Sequence, residues 1–349
     1  MKNILVIKLS AIGDVIHALP VAAAIKDTYP QAHLTWVVEP PAYELVKAVP
    51  CIDEIVLFRK KEFKSLRGFW SNFRPLRRVL HSRSYDVSLD LQGLFKSAAI
   101  ARVAGAKLRL GTANMRELSS KVSQPVIGPN ANGHIVERYL DVARRIGCQT
   151  DKARFPLEIT EEVQRSAAKT LVEAGMQPNN PYVVLAVGAN WPNKRWPVKS
   201  YAALSDWLYS RNLIPVIIGG GAVDGNIAET IEQATEIPPV NIIGKTTLPE
   251  LAHVLQKAKA VVGGDTGPVH LAAGLKTPTI MLMGPTDANR NGPYGQPEHA
   301  IETNRPCKYC WRRACPKQID CLAAIHEEQV ENMIAEILRQ DGEKNHAFA

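Results

Sequence analysis

The sequence VGGDTGPVHLAAGL at residues 262–275 decides how the second half of the chain folds. An apolar strand ends in paired glycines, a tight turn follows at Asp265 and Thr266, and an apolar helix begins at Gly267. A helix N-terminus presents unpaired N–H groups and a partial positive charge, which suit a phosphate. One helical turn brings His270 back beside the turn. The stretch predicts either a ligand site with an anion at the helix start, or a plain helix cap beside a buried histidine.

Apolar strands and helices alternate along both halves of the chain, which is typical of parallel sheets with crossover helices. The first strand is predicted at Ile4–Leu9, and Thr279–Met283 is the last that the pattern indicates. We predict an α/β fold with two Rossmann-like doubly wound domains, at 1–165 and 175–325, and a C-terminal helix and tail at 326–349. Because ligands bind at the carboxyl ends of parallel strands, we expect a functional cleft between the two domains.

The composition is that of a globular protein in an aqueous compartment. Of the 349 residues, 46% are hydrophobic and 22% charged, and the net charge is +8. The apolar N-terminus is interrupted by Lys8 and Asp14, which favours a buried first strand over a signal peptide. No apolar run approaches the length that spans a bilayer. We therefore expect the protein in the cytoplasm.

The positive charge is concentrated in residues 59–83, which hold nine basic residues and a single acid, Glu62. Large apolar residues are interleaved with them, a mixture that suits an anionic membrane surface or a phosphorylated amphiphile. The alternative is a helix with a solvated basic face and its aromatic side chains in the core. No nucleic-acid-binding motif is present, so we expect no nucleic-acid partner.

A second motif, SAIGDVIHALP at residues 10–20, follows the first strand. Gly13 permits a tight turn, and Asp14 stands at the start of the next helix, where the helix dipole favours a carboxylate. Facing a cleft, Asp14 can accept the proton of a substrate hydroxyl; otherwise it only caps its helix. His17 lies one turn further and either orients Asp14 or a substrate, or fills the core.

Two loops of the second half carry further candidates. Lys194, in the loop after the strand that begins at Tyr182, is a candidate partner for a phosphate. The glycines at 219–221 let the backbone approach a nucleotide closely, and Asp224 beyond them can bond ribose hydroxyls or close a turn. The chain has no Asp-x-Asp pair, so Lys194 and helix amides would take the charge of a leaving diphosphate without a metal.

Together, residues 10–20 and 264–275 resemble the ADP-heptose heptosyltransferases that assemble the inner core of lipopolysaccharide. Similar segments at 90–97, 134–140, 193–197 and 284–287 spread the resemblance over about residues 3–290. The resemblance implies the GT-B fold, with an acceptor-binding N-terminal domain and a C-terminal domain that binds the nucleotide-sugar. It also implies an inverting reaction, for which one carboxylate and one in-line displacement suffice; a retaining path would need a nucleophile as well.

The resemblance implies a role for each matched residue. Asp14 is expected to be the general base that deprotonates the acceptor hydroxyl. The residues expected to bind the donor ADP-heptose are Lys194, Asp224, Thr246, Asp265, Thr266, Gly267 and His270. Those expected to bind the acceptor, a Kdo-lipid A type molecule, are Ser10, Gly13, His17, Arg59, Lys60, Lys64 and Arg67. No cofactor is expected for catalysis, and the expected location is the cytoplasmic face of the inner membrane.

Four cysteines form a C-x2-C-x4-C-x5-C pattern at Cys307, Cys310, Cys315 and Cys321. Four close thiols in a cytosolic protein suggest a metal more than disulfides, so a structural zinc or iron is one interpretation. Reduced thiols in a compact loop are the other. Similar-looking relatives glycosylate proteins and hold a cysteine-bound iron, which keeps heptose transfer to a protein or another surface glycan open.

Two hypotheses of other classes remain open at this stage. One is a protein that binds a nucleotide-sugar without catalysis, which would have no turnover for an Asp14 substitution to remove. The other is a membrane-docked scaffold that uses residues 59–83 and is indifferent to Asp14, Lys194 and Asp265.

Overall fold

The computed structural model describes residues 1–63 and 65–347, without the side chains of residues 66, 69, 70 and 342–347. The chain divides into two units, Met1–Glu158 and Ile159–Ala349. No helix in the described part of the chain combines the length and the apolar character needed to cross a membrane.

The first unit holds six strands and five helices. The strands are β1 (Asn3–Ile7), β2 (His33–Val38), β3 (Glu54–Leu57), β4 (Val87–Asp90), β5 (Leu108–Thr112) and β6 (Gln124–Val126). The helices are α1 (Ile12–Thr28), α2 (Tyr43–Lys47), α3 (Leu66–Leu80), α4 (Phe95–Ala104) and α5 (Ile135–Arg144).

The second unit repeats this alternation. Its strands are β7 (Tyr182–Ala186), β8 (Ile214–Ile218), β9 (Val240–Asn241), β10 (Ala260–Gly264), β11 (Thr279–Met283) and β12 (Ala300–Glu302). Its helices are α6 (Glu161–Glu173), α7 (Val198–Ser210), α8 (Ala222–Ala234), α9 (Leu248–Lys257), α10 (Gly267–Gly274), α11 (Ala288–Asn291) and α12 (Glu327–Ala347). The prediction that Thr279–Met283 is the last strand is wrong, because the three-residue β12 is too short to show a period.

Both sheets are parallel and share one strand order. In the first unit the order is β3-β2-β1-β4-β5-β6, and in the second it is β12-β11-β10-β7-β8-β9. Each order reverses at the first strand of its unit, which creates a switch point between β1 and β4 and another between β7 and β10. The predicted fold class, two Rossmann-like doubly wound α/β domains, is confirmed. The switch points are where loops diverge and ligands bind in such sheets.

The strands are apolar runs because crossover helices cover both faces of a parallel sheet. All five residues of β7 and of β11 are buried. Helix α1 is also buried along most of its length, from Val15 to Ile25, and packs against α5. A helix that is apolar on all sides belongs inside a protein. Helix α1 therefore lies in the core, and its first turn lies at the switch point.

Gly264, the last residue of β10, must be glycine because the backbone of Lys194 lies too close to leave room for a side chain. A Cβ atom placed there would lie 2.0 Å from the backbone oxygen of Lys194, far inside any tolerated contact. The absence of a side chain therefore lets the loop after β7 lie directly against the end of β10. This contact positions Lys194 beside the turn that follows β10.

We expect Gly264→Ala to lower the free energy of unfolding by about 3 kcal/mol, because backbone atoms must move to relieve the overlap. The matched control is Gly225→Ala in α8, where an added Cβ meets no atom within 4 Å. Alanine there is expected to leave stability unchanged or raise it by up to about 1 kcal/mol. Urea unfolding followed by circular dichroism measures both, and equal stabilities would contradict the contact.

Candidate active site

The polar residues of the second unit gather at the carboxyl ends of three adjacent strands. Lys194 lies in the loop after β7, Asp265 follows β10, and Thr286 follows β11. In the sheet, β10 lies between β11 and β7, so the three loops meet at the switch point. Sequence positions almost 100 residues apart thus form one cluster.

Asp265 is the centre of this cluster, and its side chain is 4% exposed. One carboxylate oxygen, Oδ1, lies 2.7 Å from His270 Nε2. The other, Oδ2, accepts hydrogen bonds from Lys194 Nζ at 2.6 Å and from Thr286 Oγ1 at 2.6 Å. Asn291 Nδ2 lies 3.5 Å from the same oxygen. The predicted return of His270 to the turn by one helical turn is confirmed as a direct contact with Asp265.

Opposing effects act on the Asp265 carboxyl. Burial raises its pKa, whereas the hydrogen bond and charge of His270 and the charge of Lys194 lower it. The partners prevail, and the pKa lies well below its ordinary range. Asp265 is therefore a fixed negative charge that holds Lys194 and His270 in place.

Lys194 forms an ion pair with Asp265, and its side chain is not completely buried. Its ammonium group donates to the backbone oxygen of Asp265 at 3.3 Å, in addition to the carboxylate. It also lies 4.5 Å from the centre of the Trp191 ring. With two of its three N–H groups directed to Asp265 and a side chain 12% exposed, Lys194 retains one donor for an anion.

Helix α10 begins in this cluster. Thr266 is its N-cap residue, but the Thr266 side chain makes no capping hydrogen bond. Its hydroxyl oxygen is buried and has no hydrogen-bond partner in the part of the chain that the structure describes. Gly267 is the first helical residue. Pro268 has no N–H, so the donors of this first turn are the amides of Gly267 and Val269. With the unused Thr266 hydroxyl, these amides point to a ligand rather than to a plain cap.

Asp224 lies in the first turn of α8, and Thr246 lies in a loop of the same unit. Asp224 Oδ2 accepts the backbone N–H of Gly220 at 2.8 Å, and a Cβ at Gly188 would collide with the Asp224 carboxylate. Asp224 therefore closes the glycine turn after β8, the turn role that the sequence left open. Thr246 is half-buried in the loop after β9, directly before Thr247, which caps α9.

The corresponding switch point of the first unit holds Asp14, in the first turn of α1. Its Oδ2 atom accepts the backbone N–H of Ala11 at 3.2 Å, and the residue is half-buried. Gln92, in the loop after β4, accepts the backbone N–H groups of Leu9 and Ser10, both at 3.0 Å. These bonds fix the loop after β1 against the loop after β4.

Ser10 and Gly13 belong to the same turn as Asp14. The Ser10 hydroxyl lies 3.4 Å from Lys96 Nζ, which also pairs with Glu39 at 2.5 Å. Gly13 is half-buried at the second position of α1. His17 is different: it is 3% exposed and its ring meets that of His134 edge to face, with centroids 5.8 Å apart. The structure therefore places His17 in the core, below the turn.

Lys8 is a buried cation beneath this turn. Its ammonium donates to the backbone oxygen of Leu91 at 3.2 Å and to the Tyr139 hydroxyl at 2.8 Å. Burial lowers the pKa of Lys8, but the charges of Asp14, Tyr139 and Asp90 and the bond to Tyr139 outweigh it and raise that pKa. A permanent positive charge therefore lies within electrostatic reach of Asp14.

The basic residues predicted to meet the acceptor surround the start of α3. Arg59, Lys60 and Arg67 are exposed, whereas Lys64 lies outside the described residues. Leu80, at the end of α3, is fully buried. The helix thus directs part of its apolar face into the core and keeps its described basic side chains in solvent, which agrees with both interpretations of the segment.

The four clustered cysteines lie in one long loop between β12 and α12. Cys307 and Cys310 are exposed, Cys315 is half-buried and Cys321 is buried. Burial, with the nearby thiols of Cys310 and Cys307, raises the pKa of Cys321 to about 11. In the described ranges, no three His, Cys, Asp or Glu side chains are arranged to hold a metal ion.

Several residues of the site were not singled out from the sequence. Thr286 and Asn291 contact the Asp265 carboxylate. The Trp191 ring packs against the Lys194 ammonium group. Gln92 fixes the loop that precedes Asp14. Thr286 follows a predicted strand just as Asp265 does, and that position was a usable signal. Gln92 gave the same signal and lies in the similar segment 90–97, but Trp191 gave none, because its role depends on a loop distant in sequence.

Comparison with known proteins places the chain among glycosyltransferases. Residues 73–319 match the profile of glycosyltransferase family 9 (heptosyltransferase). Lipopolysaccharide heptosyltransferase 1 of Pseudomonas aeruginosa is 30% identical over 329 residues, which are 90% of this chain and 88% of that protein. Solved structures of similar fold also cover both units.

Two solved structures cover nearly the whole chain. The family 9 glycosyl transferase of Veillonella parvula has a TM-score of 0.83 at 23% identity, covering 97% of this chain and 98% of that one. The E. coli heptosyltransferase WaaC with ADP-2-deoxy-2-fluoro heptose has a TM-score of 0.73 at 23% identity, covering 96% and 99%. At this identity the two structures establish a shared fold.

We expect Asp265→Asn to lower the free energy of unfolding by about 3 kcal/mol at neutral pH, because Lys194 loses its buried charged partner. The depressed pKa sets the pH dependence. The stabilisation is fully present above the unfolded pKa of about 4 and is lost as the pH falls through the lower folded pKa. The stability difference between wild type and variant should therefore shrink at acidic pH.

Urea unfolding between about pH 3 and pH 7 measures this difference. The matched control is Asp151→Asn, which removes an exposed carboxylate of the first unit. A stability difference that stays constant down to about pH 3 would contradict a pH-dependent contribution from Asp265.

Proposed function

Since the chain belongs to glycosyltransferase family 9, the heptosyltransferases, we propose that it transfers heptose from ADP-heptose to the inner core of a lipid A precursor. The acceptor sugar is Kdo or a heptose already attached to it. The observation that carries this proposal is the cluster of Lys194, Asp265, His270 and Thr286 at the start of α10, which is built to hold an anion.

The donor side of the proposal rests on the second unit. The diphosphate of ADP-heptose would lie at the first turn of α10, where backbone amides, the Thr266 hydroxyl and the remaining donor of Lys194 face it. Asp265 does not repel this diphosphate strongly, because Lys194 and His270 already partner both of its oxygens. The structure of WaaC with an ADP-heptose analogue supports this choice of donor in a protein of the same fold.

The acceptor side rests on the first unit. Asp14 would take the proton of the acceptor hydroxyl as the oxygen attacks the anomeric carbon of heptose. The bond from that carbon to the diphosphate breaks in the same displacement, and ADP leaves with its electron pair. One displacement inverts the anomeric centre, and Lys194 with the amides at the start of α10 would take up the charge of ADP without a metal.

The basic residues around α3 would bind the phosphates and acidic sugars of the acceptor. Arg59, Lys60 and Arg67 are exposed on the segment that follows β3, and β3 ends at the same edge of the sheet as β1. This arrangement supports a lipid-linked acceptor at the cytoplasmic face of the inner membrane. The resemblance of the Pseudomonas lipopolysaccharide heptosyltransferase 1 supports the same class of acceptor.

The test is a mass-spectrometric transfer assay with ADP-heptose and Kdo2-lipid A in the presence of EDTA. We expect the mass of one heptose to be added by the wild type, and the rate to fall by a factor of about 100 or more in Asp14→Asn, which keeps the shape but cannot take a proton. Donor binding by the variant, measured by calorimetry, should equal that of the wild type.

Other outcomes of this assay identify the alternatives. If the protein binds the donor but transfers no heptose to Kdo2-lipid A, the acceptor is a heptosylated core, a protein or another surface glycan. Donor binding without transfer to any of these would favour a non-catalytic nucleotide-sugar-binding protein. Transfer that stops with EDTA would overturn the metal-independent mechanism.

We also propose a structural zinc or iron at Cys307, Cys310, Cys315 and Cys321, which requires the loop to contract from the arrangement described above. The spacing and the thiols around Cys321 support this proposal, since zinc and iron bind four cysteine thiolates tetrahedrally. We expect elemental analysis to find about one metal ion per chain, lost in the Cys307→Ser, Cys310→Ser double variant. Metal-free protein with all six cysteines titratable would contradict it; Cys51→Ser is the control.

A further inference from the structure

Three apolar side chains stand out on the surface of the first unit. Ile127 is 81% exposed, Leu118 70% and Phe95 67%, the highest values among the large apolar residues that the structure describes. We call these three residues the apolar rim. Isolated exposed apolar residues are common on protein surfaces, but a group of the most exposed ones marks an interaction site.

The apolar rim lies along one edge of the first sheet. Phe95 follows β4, Leu118 follows β5 and Ile127 follows β6 directly. These strands are neighbours in the order β4-β5-β6 and run parallel, so their carboxyl ends share one edge. The three residues are separated by up to 32 positions in sequence, and the strand order places all three at the same edge of the sheet.

The loop that carries Leu118 is held in its exposed conformation. The φ angles of Glu117 and Leu118 are 54° and 62°, in the left-handed region that side chains seldom adopt. Hydrogen bonds from Ser119 N–H to Arg116 O at 3.0 Å and from Arg116 N–H to Gly93 O at 2.9 Å fix the loop. Leu118 is therefore presented outward by a fixed backbone.

The charges beside the apolar rim are positive. Arg116 and Lys121 flank Leu118, are exposed, and have no carboxylate partner within the described ranges. The one acid of the loop, Glu117, accepts the backbone N–H of Phe95 at 3.0 Å at the start of α4, so the two cations outnumber the single carboxylate here. Apolar side chains bordered by free cations complement the acyl chains and anionic headgroups of a lipid bilayer.

The same edge of the sheet carries the other acceptor-side features. The basic segment that contains Arg59 and Lys60 follows β3 at one end of the strand order, and the apolar rim follows β4, β5 and β6 at the other. Asp14, after β1, lies between them. Lipid would therefore meet cations at one end of this edge and apolar side chains at the other.

We propose that the apolar rim is a membrane-docking surface, whose side chains enter the boundary between headgroups and acyl chains of an anionic bilayer. This proposal rests on the proposed function only in that a lipid-linked acceptor is reached from the membrane. Insertion of the apolar rim into the bilayer does not depend on salt. The attraction between the basic segment and anionic headgroups is screened by salt.

The experiment compares the wild type with the Leu118→Ser, Ile127→Ser double variant in vesicle cosedimentation. The vesicles contain phosphatidylcholine with or without phosphatidylglycerol. The control is the Val172→Ser, Ile237→Ser double variant, which removes apolar side chains that are 50% and 54% exposed on the second unit. We expect the apolar-rim variant to bind phosphatidylglycerol vesicles roughly tenfold more weakly at both low and high salt, and the control to bind like the wild type.

Vesicle binding that is equal in the wild type and the apolar-rim variant would overturn the proposal. A wild type that ignores vesicles but forms a dimer, which the variant loses in size-exclusion chromatography, would overturn it in favour of a second copy of the chain. Heptose transfer to a water-soluble, deacylated acceptor separates the two proposals. Transfer to this soluble acceptor should be unchanged in the apolar-rim variant. If the wild type does not transfer heptose to it, that result would count against the proposed function alone.

Discussion

The buried carboxylate of Asp265 is the constraint on which the second unit depends. A charge with 4% exposure is unfavourable unless it is partnered, and Lys194, His270 and Thr286 partner both of its oxygens. The three partners come from three different segments, so the carboxylate joins the loops after β7 and β11 to the start of α10. A cation is thereby held where a helix begins, an arrangement that suits an anion.

The strand order explains why both units place their polar loops where they do. Each sheet reverses direction of growth beside its first strand, and the loops on either side of that point diverge. In the second unit the opening holds Lys194 and Asp265; in the first it holds Asp14, with Gln92 tying the two loops. One strand order thus places different residues at the two switch points: a lysine paired with a buried carboxylate in the second unit, and Asp14 in the first.

The surface of the first unit is as specialised as its core. Its sheet edge combines a basic segment after β3 with the apolar rim after β4, β5 and β6, and the proposed base lies between these two surfaces. Such a division suits a substrate that is lipid at one end and sugar at the other, because each part of the substrate meets matching chemistry. The second unit, by contrast, gathers its polar residues around one buried carboxylate, that of Asp265.

The sequence by itself determined the fold class and most strand positions, and it located the two main motifs. Continuous apolar runs such as Thr279–Met283, and polar residues directly after them, are local features. Tertiary structure decided which residues meet: Thr286 with Asp265, Gln92 with Ser10, and Leu118 with the edge that also holds Phe95. Local sequence encodes the period of each element, whereas contacts between loops arise only from the order in which the strands pair.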